Sequence, residues 1–240
     1  MTKQARYKRV VLKISGESLN AAGGLGINLE AMGYFIDELL PVVKLGVQTA
    51  IVVGGGNLLR GRDLSDNPAI RRTTADYMGM MATVMNALAL QDSLEARGVP
   101  VAVMSAIAMR SVCQNWNRRD TVAHLAAGKV VLLAGGTGSP FFTTDTCAAL
   151  RACELEADAV LKATKVDGVF NRDPLKDPAA KQFKRLTYQK VLADELGVMD
   201  LTAISLCMEA GIPIVVFKLA KPGNLAGVIA GKDIGTIVTR

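Results

Sequence analysis

Six short runs of aliphatic and β-branched residues recur along the chain, at Arg9 to Ile14, Gln48 to Val53, Val101 to Met104, Val130 to Ala134, Ala159 to Lys162 and Ile214 to Phe217. Stretches of helical periodicity separate them. Behind a capping Asn28, Met32, Phe35, Ile36, Leu39, Leu40 and Val43 fall on one helical face. A longer helical pattern occupies roughly Ala69 to Arg97, and others centre on Thr121, Ala148 and Ala203. Apolar strands alternating with helices predict a mainly parallel sheet covered on both faces. In such sheets ligands sit beyond the carboxyl ends of the strands. Between Asp167 and Lys190 the pattern gives way to Asp173-Pro174 and Asp177-Pro178 turns among lysines, which predicts a surface excursion.

With 50% hydrophobic and 21% charged residues, the 240-residue chain can bury a large core in one compact unit. The net charge of +6 favours anionic partners. No basic run is interleaved with aromatics, so nucleic acid is disfavoured against phosphorylated small molecules. Cys113, Cys147, Cys153 and Cys207 lack CxxC spacing and read as buried thiols rather than zinc ligands, and His124 reads as a packed or capping histidine. The basic start runs into too short an apolar stretch for a signal peptide, and no apolar run reaches the ~20 residues that span a bilayer. A cytoplasmic protein without membrane contact is expected.

Four loops combine small residues with charge, and each follows a predicted strand. The first, Lys13-Ile14-Ser15-Gly16-Glu17, sets a lysine before a glycine turn whose N–H groups can hold phosphate oxygens, although a solvated strand-end lysine would look alike. In the second, Gly54-Gly55-Gly56-Asn57-Leu58-Leu59-Arg60-Gly61, three glycines permit close backbone approach to a ligand and Arg60 offers a planar fork, or the run merely punctuates a loop. The third runs Gly135-Gly136-Thr137-Gly138-Ser139-Pro140-Phe141-Phe142-Thr143-Thr144-Asp145. Eleven residues without a long aliphatic side chain, directly after an apolar strand, point to ligand binding. Its Asp145 belongs to the site or caps a helix beginning near Thr146. The fourth, from Lys162 to Phe170 with Asp173 beyond, places Lys165 to meet phosphate charge and Asp173 to accept hydrogen bonds from a ribose or base, as exposed turn residues also could.

Neither Gly128-Lys129 nor Gly231-Lys232 is followed by Ser or Thr, so there is no P-loop, and GxGxxG and GxSxG are absent too. With one histidine, the chemistry cannot lean on imidazole. Phosphoryl transfer fits this restriction, because alignment and positive charge supply most of its catalysis.

Together, Lys13 to Glu17, the triple glycine with Asn57 and Arg60, Asp76 before Met78-Gly79-Met80, the run Gly136 to Asp145, and Lys162 to Gly168 resemble the bacterial uridylate kinases, from Tyr7 to Val238. The resemblance implies an acetylglutamate-kinase-like amino-acid-kinase fold: an α/β, three-layer α/β/α sandwich with a mainly parallel central sheet. It implies one domain over residues 1–240, with an acceptor side up to about residue 157 and an ATP side from about 158. The reaction implied is transfer of the γ-phosphate of ATP, with Mg2+, to UMP.

Position by position, the resemblance implies that Lys13, Ile14, Ser15, Gly16, Gly56, Arg60, Thr164, Phe170 and Asp173 bind ATP. Gly55, Asp76, Thr137, Gly138, Ser139, Pro140, Phe141, Phe142, Thr143 and Thr144 hold UMP. Lys13, Arg60 and Lys165 serve catalysis, with Asp145 and Asp200 orienting the lysines or magnesium-bound water. It also implies a homohexamer activated by GTP through Ala21, Ala22, Gly23, Gly24, Leu25 and Gly26, and inhibited by UTP. Ser139 stands where the family usually has asparagine. Two alternatives are a related kinase with a carboxylate acceptor and a binding protein that senses pyrimidine nucleotides.

Overall fold

The computed structural model describes residues 5–20, 24–59 and 69–240. Nine strands form a single sheet: β1 (Arg9–Ile14), β2 (Gln48–Val53), β3 (Val101–Ser105), β4 (Gln114–Asn115), β5 (Val130–Ala134), β6 (Ala159–Thr164), β7 (Arg185–Thr187), β8 (Ile214–Lys218) and β9 (Thr236–Thr239). Their spatial order is β4-β3-β5-β2-β1-β6-β8-β9-β7. Every pairing is parallel except β8 with β9.

The described α-helices are α1 (Leu29–Lys44), α2 (Arg72–Glu95), α3 (Arg118–Ala126), α4 (Thr144–Glu154), α5 (Tyr188–Ala193), α6 (Leu201–Ala210) and α7 (Asn224–Ile229). Because side chains alternate across a strand, Val10, Leu12 and Ile14 of β1 pack with Phe35 of α1, Leu90 of α2 and Val228 of α7 on one face. Val11 meets Ala148 of α4, Tyr188 of α5 and Ile204 of α6 on the other. Three α/β/α layers result. Both faces of β1 are buried, so truncating Leu12 to Ala would cost about 2–5 kcal/mol.

Asn28 caps α1 as expected, its Oδ1 accepting from the Ala31 N–H at 2.8 Å. The expected face of α1 is buried at Met32, Phe35, Ile36 and Leu39, with Leu40 and Val43 partly covered. Two readings are corrected. Cys147 and Cys207 are buried, but Cys113 and Cys153 are only half-buried. The polar excursion after Asp167 ends in regular structure, since β7 pairs with β9 and leads into α5. His124 lies half-buried in the last turn of α3 against the Gln114 side chain, 3.0 Å away. Among the described residues no helix is long and apolar enough to cross a membrane.

Candidate active site

The four loops follow β1, β2, β5 and β6, which stand side by side as β5-β2-β1-β6 and run parallel. Parallel neighbours bring their carboxyl ends to one edge, so the fold gathers residues from four distant stretches of sequence. The glycines divide their work. A Cβ at Gly54 would lie 2.7 Å from the Gly16 nitrogen, and one at Gly55 would lie 2.8 Å from the Gly79 carbonyl oxygen. Those two glycines let the first loop and helix α2 pack against the second loop. Around Gly56 nothing would lie within 4 Å, and Gly55 and Gly56 both line the cavity described below.

At the floor of this edge, Lys13 and Lys162 are register partners on β1 and β6. The Asp145 carboxylate bridges them, with Lys13 Nζ 2.7 Å from Oδ1 and Lys162 Nζ 2.7 Å from Oδ2. Lys162 also donates to the Val198 carbonyl at 2.6 Å. The Lys13 contact is an ion pair without hydrogen-bond alignment, as Oδ1 accepts no well-directed bond. Burial alone would raise the Asp145 carboxyl, but the attraction of Lys13 and Lys162 outweighs it, and its pKa falls below the ordinary carboxylate value. Burial draws the Lys162 ammonium below the ordinary lysine value, partly opposed by Asp145. Lys13 has no other partner among the described residues, so its remaining donors are available to phosphate oxygens.

Asp145 is not a helix cap. That place belongs to Thr143, whose Oγ1 accepts from the N–H groups of Asp145 at 3.0 Å and Thr146 at 3.3 Å, and α4 begins at Thr144. Freed from capping, the Asp145 side chain faces the lysines. Asp200 makes no ion pair or hydrogen bond with either lysine. It caps α6 through the Ala203 N–H at 2.8 Å and accepts from the hydroxyls of Thr146, at 2.8 and 2.9 Å, and Thr143. Its place is to tie α6 to the first turn of α4 and so fix the segment that carries Asp145.

Beside the lysines opens a cavity of about 520 Å³, lined among others by Gly56, Asp76, Gly136, Thr137, Ser139 and Thr144. Asp76 accepts from the Phe141 N–H at 2.8 Å and from Arg72 Nε at 2.9 and 3.0 Å. Phe141 has φ of +70°, a left-handed conformation that costs a non-glycine residue on the order of 1–3 kcal/mol. Its ring lies exposed under the Arg72 guanidinium, 5.7 Å from centroid to Cζ. Gly136 and Gly138 also have positive φ, as expected where a loop doubles back around a small volume. The Thr137 hydroxyl donates to the Ser139 carbonyl and accepts from its N–H, both at 3.2 Å. Phe142, Thr143 and Thr144 line the same cavity, with Pro140 between them and Ser139 in sequence.

On the β6 side, Thr164 closes a local turn with Val166, while Lys165 meets Glu17 at 2.6 Å across the mouth between the first and fourth loops. Phe170 bridges to Gln182, and Asp173 accepts from the Leu175 N–H at 2.9 Å. Arg60, Ala21, Ala22 and Gly23 lie outside the described residues. Gly24, Leu25 and Gly26 precede α1 in sequence, and Gly26 pairs with Asn57. A larger groove, about 600 Å³, runs beside β3 and β4 at the sheet edge. It contains none of the four loops.

The sequence profile of the amino acid kinase family matches residues 8–218. The chain belongs to that family. Within it the chain groups with the uridylate kinases. It is 52% identical over 236 residues to a uridylate kinase of Ectopseudomonas mendocina (strain ymp), covering 98% of this chain and 95% of that protein. A uridylate kinase of Pseudomonas aeruginosa (strain UCBPP-PA14) is 50% identical, with 98% and 96% covered. The crystal structure of UMP kinase from Bacillus anthracis superposes with a TM-score of 0.94 at 36% identity, over 97% of this chain and 96% of that one. That of UMP kinase from Ureaplasma parvum gives 0.91 at 34%, over 98% and 100%. As a family member the chain is a kinase, a phosphotransferase whose sheet is mostly parallel.

One residue of the lysine cluster escaped assignment to the site from sequence. Lys162 was read as the end of the strand Ala159 to Lys162 and the start of the fourth loop, with no role of its own, whereas it sits inside β6 with its ammonium turned to Asp145. The available signal was a lysine within the otherwise apolar run Ala159 to Ala163, since a buried lysine needs a partner.

Proposed function

We propose that this chain transfers the γ-phosphoryl group of ATP to UMP, giving UDP and ADP. The observation that carries the reading is the Lys13–Asp145–Lys162 cluster at the edge of a small polar cavity that contains Asp76. A phosphate oxygen of UMP attacks the γ-phosphorus while the bond to the bridging oxygen of ADP breaks, and that oxygen keeps the electron pair. The attacking oxygen is already ionised, so no general base is required. What the protein must supply is alignment and positive charge against the charge of the transferring group.

In this reading Lys13, Ile14, Ser15, Gly16 and Gly56 cradle the ATP phosphates, and Lys162, held by Asp145 and Val198, adds charge from below. Lys165 leaves Glu17 for the phosphates, and Arg60 bridges donor and acceptor. Asp76 exchanges Arg72 or the Phe141 N–H for ribose hydroxyls, while Gly55 and residues 137–144 enclose the acceptor. Thr164, Phe170 and Asp173 form the adenosine side. Residues up to about 157 then serve the acceptor and those from about 158 serve ATP. Mg2+ enters with ATP: among the described residues no cluster of three or more acidic, histidine or cysteine side chains exists, so the ion would be held through phosphate oxygens. A cytoplasmic homohexamer, with GTP as activator and UTP as inhibitor, completes the proposal.

The test is ADP release with UMP, CMP, dUMP, N-acetylglutamate or aspartate as acceptor, with and without GTP. Turnover with UMP is expected, and Asp76→Asn should raise the KM for UMP about tenfold or more, because a charge-assisted bond is lost. Turnover with a carboxylate acceptor and none with UMP would reject the reading.

A further inference from the structure

Two carboxamides stand buried beneath the nucleotide loops, Asn57 1% and Asn86 0% exposed. They face each other in a reciprocal pair: Asn86 Nδ2 donates to Asn57 Oδ1 at 2.7 Å, and Asn57 Nδ2 donates to Asn86 Oδ1 at 3.1 Å. The second hydrogen of each amide is also used. Asn86 donates to the Gly54 carbonyl at 2.8 Å, and Asn57 donates to the Gly26 carbonyl at 2.8 Å. Gly26 returns a bond from its N–H to the Asn57 carbonyl, also at 2.8 Å. Every amide hydrogen of the pair therefore has a partner.

Buried amides are expensive unless paired, and two apolar side chains of the same shape would serve packing equally well. The fastening is specific. Gly54 is where β2 turns into the second loop, and Asn57 follows Gly56, so the pair grips this loop at both ends of its glycines. A Cβ on Gly16 would lie 2.4 Å from Asn57 Oδ1, so the first loop rests directly on the pair. Asn86 belongs to α2, whose Thr83 accepts from the Gly135 N–H at 2.7 Å and whose Asp76 accepts from the Phe141 N–H. One helix thus holds the acceptor loop at two points and the glycine loop at a third.

We infer that Asn57 and Asn86 are positioning residues for phosphoryl transfer, locking the glycine loop to α2 so that the donor and acceptor subsites keep one relative placement. This rests on the site reading above, not on UMP as the acceptor. Releasing the lock should misplace the backbone around Gly56 while both subsites remain. A misplacement of that kind costs turnover up to about a hundredfold.

The experiment compares Asn86→Leu with the double variant Asn57→Leu/Asn86→Leu. The single variant strands the Asn57 amide and the Gly54 carbonyl, so melting temperature and kcat should both fall. The double variant removes the stranded amide but leaves the Gly54 and Gly26 carbonyls without these donors, so it should recover only part of the melting temperature, while kcat should stay about 10- to 100-fold below the parent with each KM within about threefold. Should the double variant not fold, Asn86→Ser, whose hydroxyl can serve one of the lost partners, should keep the fold and show the same kcat loss against KM. A kcat within twofold of the parent in either folded variant overturns the inference. The comparison uses whichever acceptor the parent turns over, so a wrong acceptor rejects the preceding proposal and leaves this test intact.

Discussion

Replacing Asp145 by Asn removes one negative charge from between two ammonium groups while keeping the shape of the side chain. The side chains of Lys13, Lys162 and Asp145 are 13%, 16% and 14% exposed, so the charges are poorly screened yet not sealed from solvent. Breaking a buried pair by removing one partner costs about 3–5 kcal/mol, and the partial exposure favours the lower end, about 3 kcal/mol. For a chain of this length that is a melting-temperature drop of about 6–12 °C. Turnover should fall about a hundredfold, because Lys13 and Lys162 lose the group that aims them. The dependence on pH sharpens the test. A carboxyl whose folded pKa is depressed contributes stability above its ordinary pKa, about 4, and loses it as pH falls through the lower folded value. The parent should lose this increment below about pH 4, whereas Asp145→Asn should show a flatter acid limb. Thermal melts from pH 3 to 8 with steady-state kinetics at neutral pH measure both effects. An unchanged melting temperature with kcat within twofold of the parent would refute the reasoning.

Gly55→Ala and Gly56→Ala should separate packing from ligand contact. The first drives a Cβ against backbone and should destabilise by about 1–3 kcal/mol, while the second should leave stability within about 0.5 kcal/mol yet cut turnover about tenfold or more, as melts and kinetics on the same samples would show. Thr143→Ala removes the α4 cap and should cost about 1 kcal/mol, seen as a drop of 2–4 °C on melting, with Thr143→Ser restoring most of it. Burial pushes the Cys147 thiol up to about 11 and Cys207 up to about 12, so mass spectrometry after brief alkylation of the folded protein should find label on Cys113 or Cys153 and little on these two.

The six central strands and the N-cap of α1 were legible because their signals are local: an apolar run, a helical period, an asparagine at the right offset. β4, β7 and β9 were not, since two or three paired residues carry little pattern and owe their strand state to neighbours far along the chain. The same division runs through the site. Loop composition marked residues 135–145, but only strand order shows that this loop lies over β1 and β6. Asp145 read equally well as a cap until Thr143 took that place and Lys13 and Lys162 converged on the carboxylate. Glycine counting suggested three glycines open to ligand, whereas Gly54 is needed for packing alone and Gly55 both packs against α2 and lines the cavity.

Product analysis tests the central claim most directly. The purified chain is incubated with ATP, Mg2+ and UMP, and nucleotides are resolved by chromatography or phosphorus NMR. The account predicts UDP and ADP in equal amounts, both lost together in Asp145→Asn. ATP left intact in the presence of UMP, or ADP formed without UDP while N-acetylglutamate or aspartate becomes phosphorylated, would contradict it.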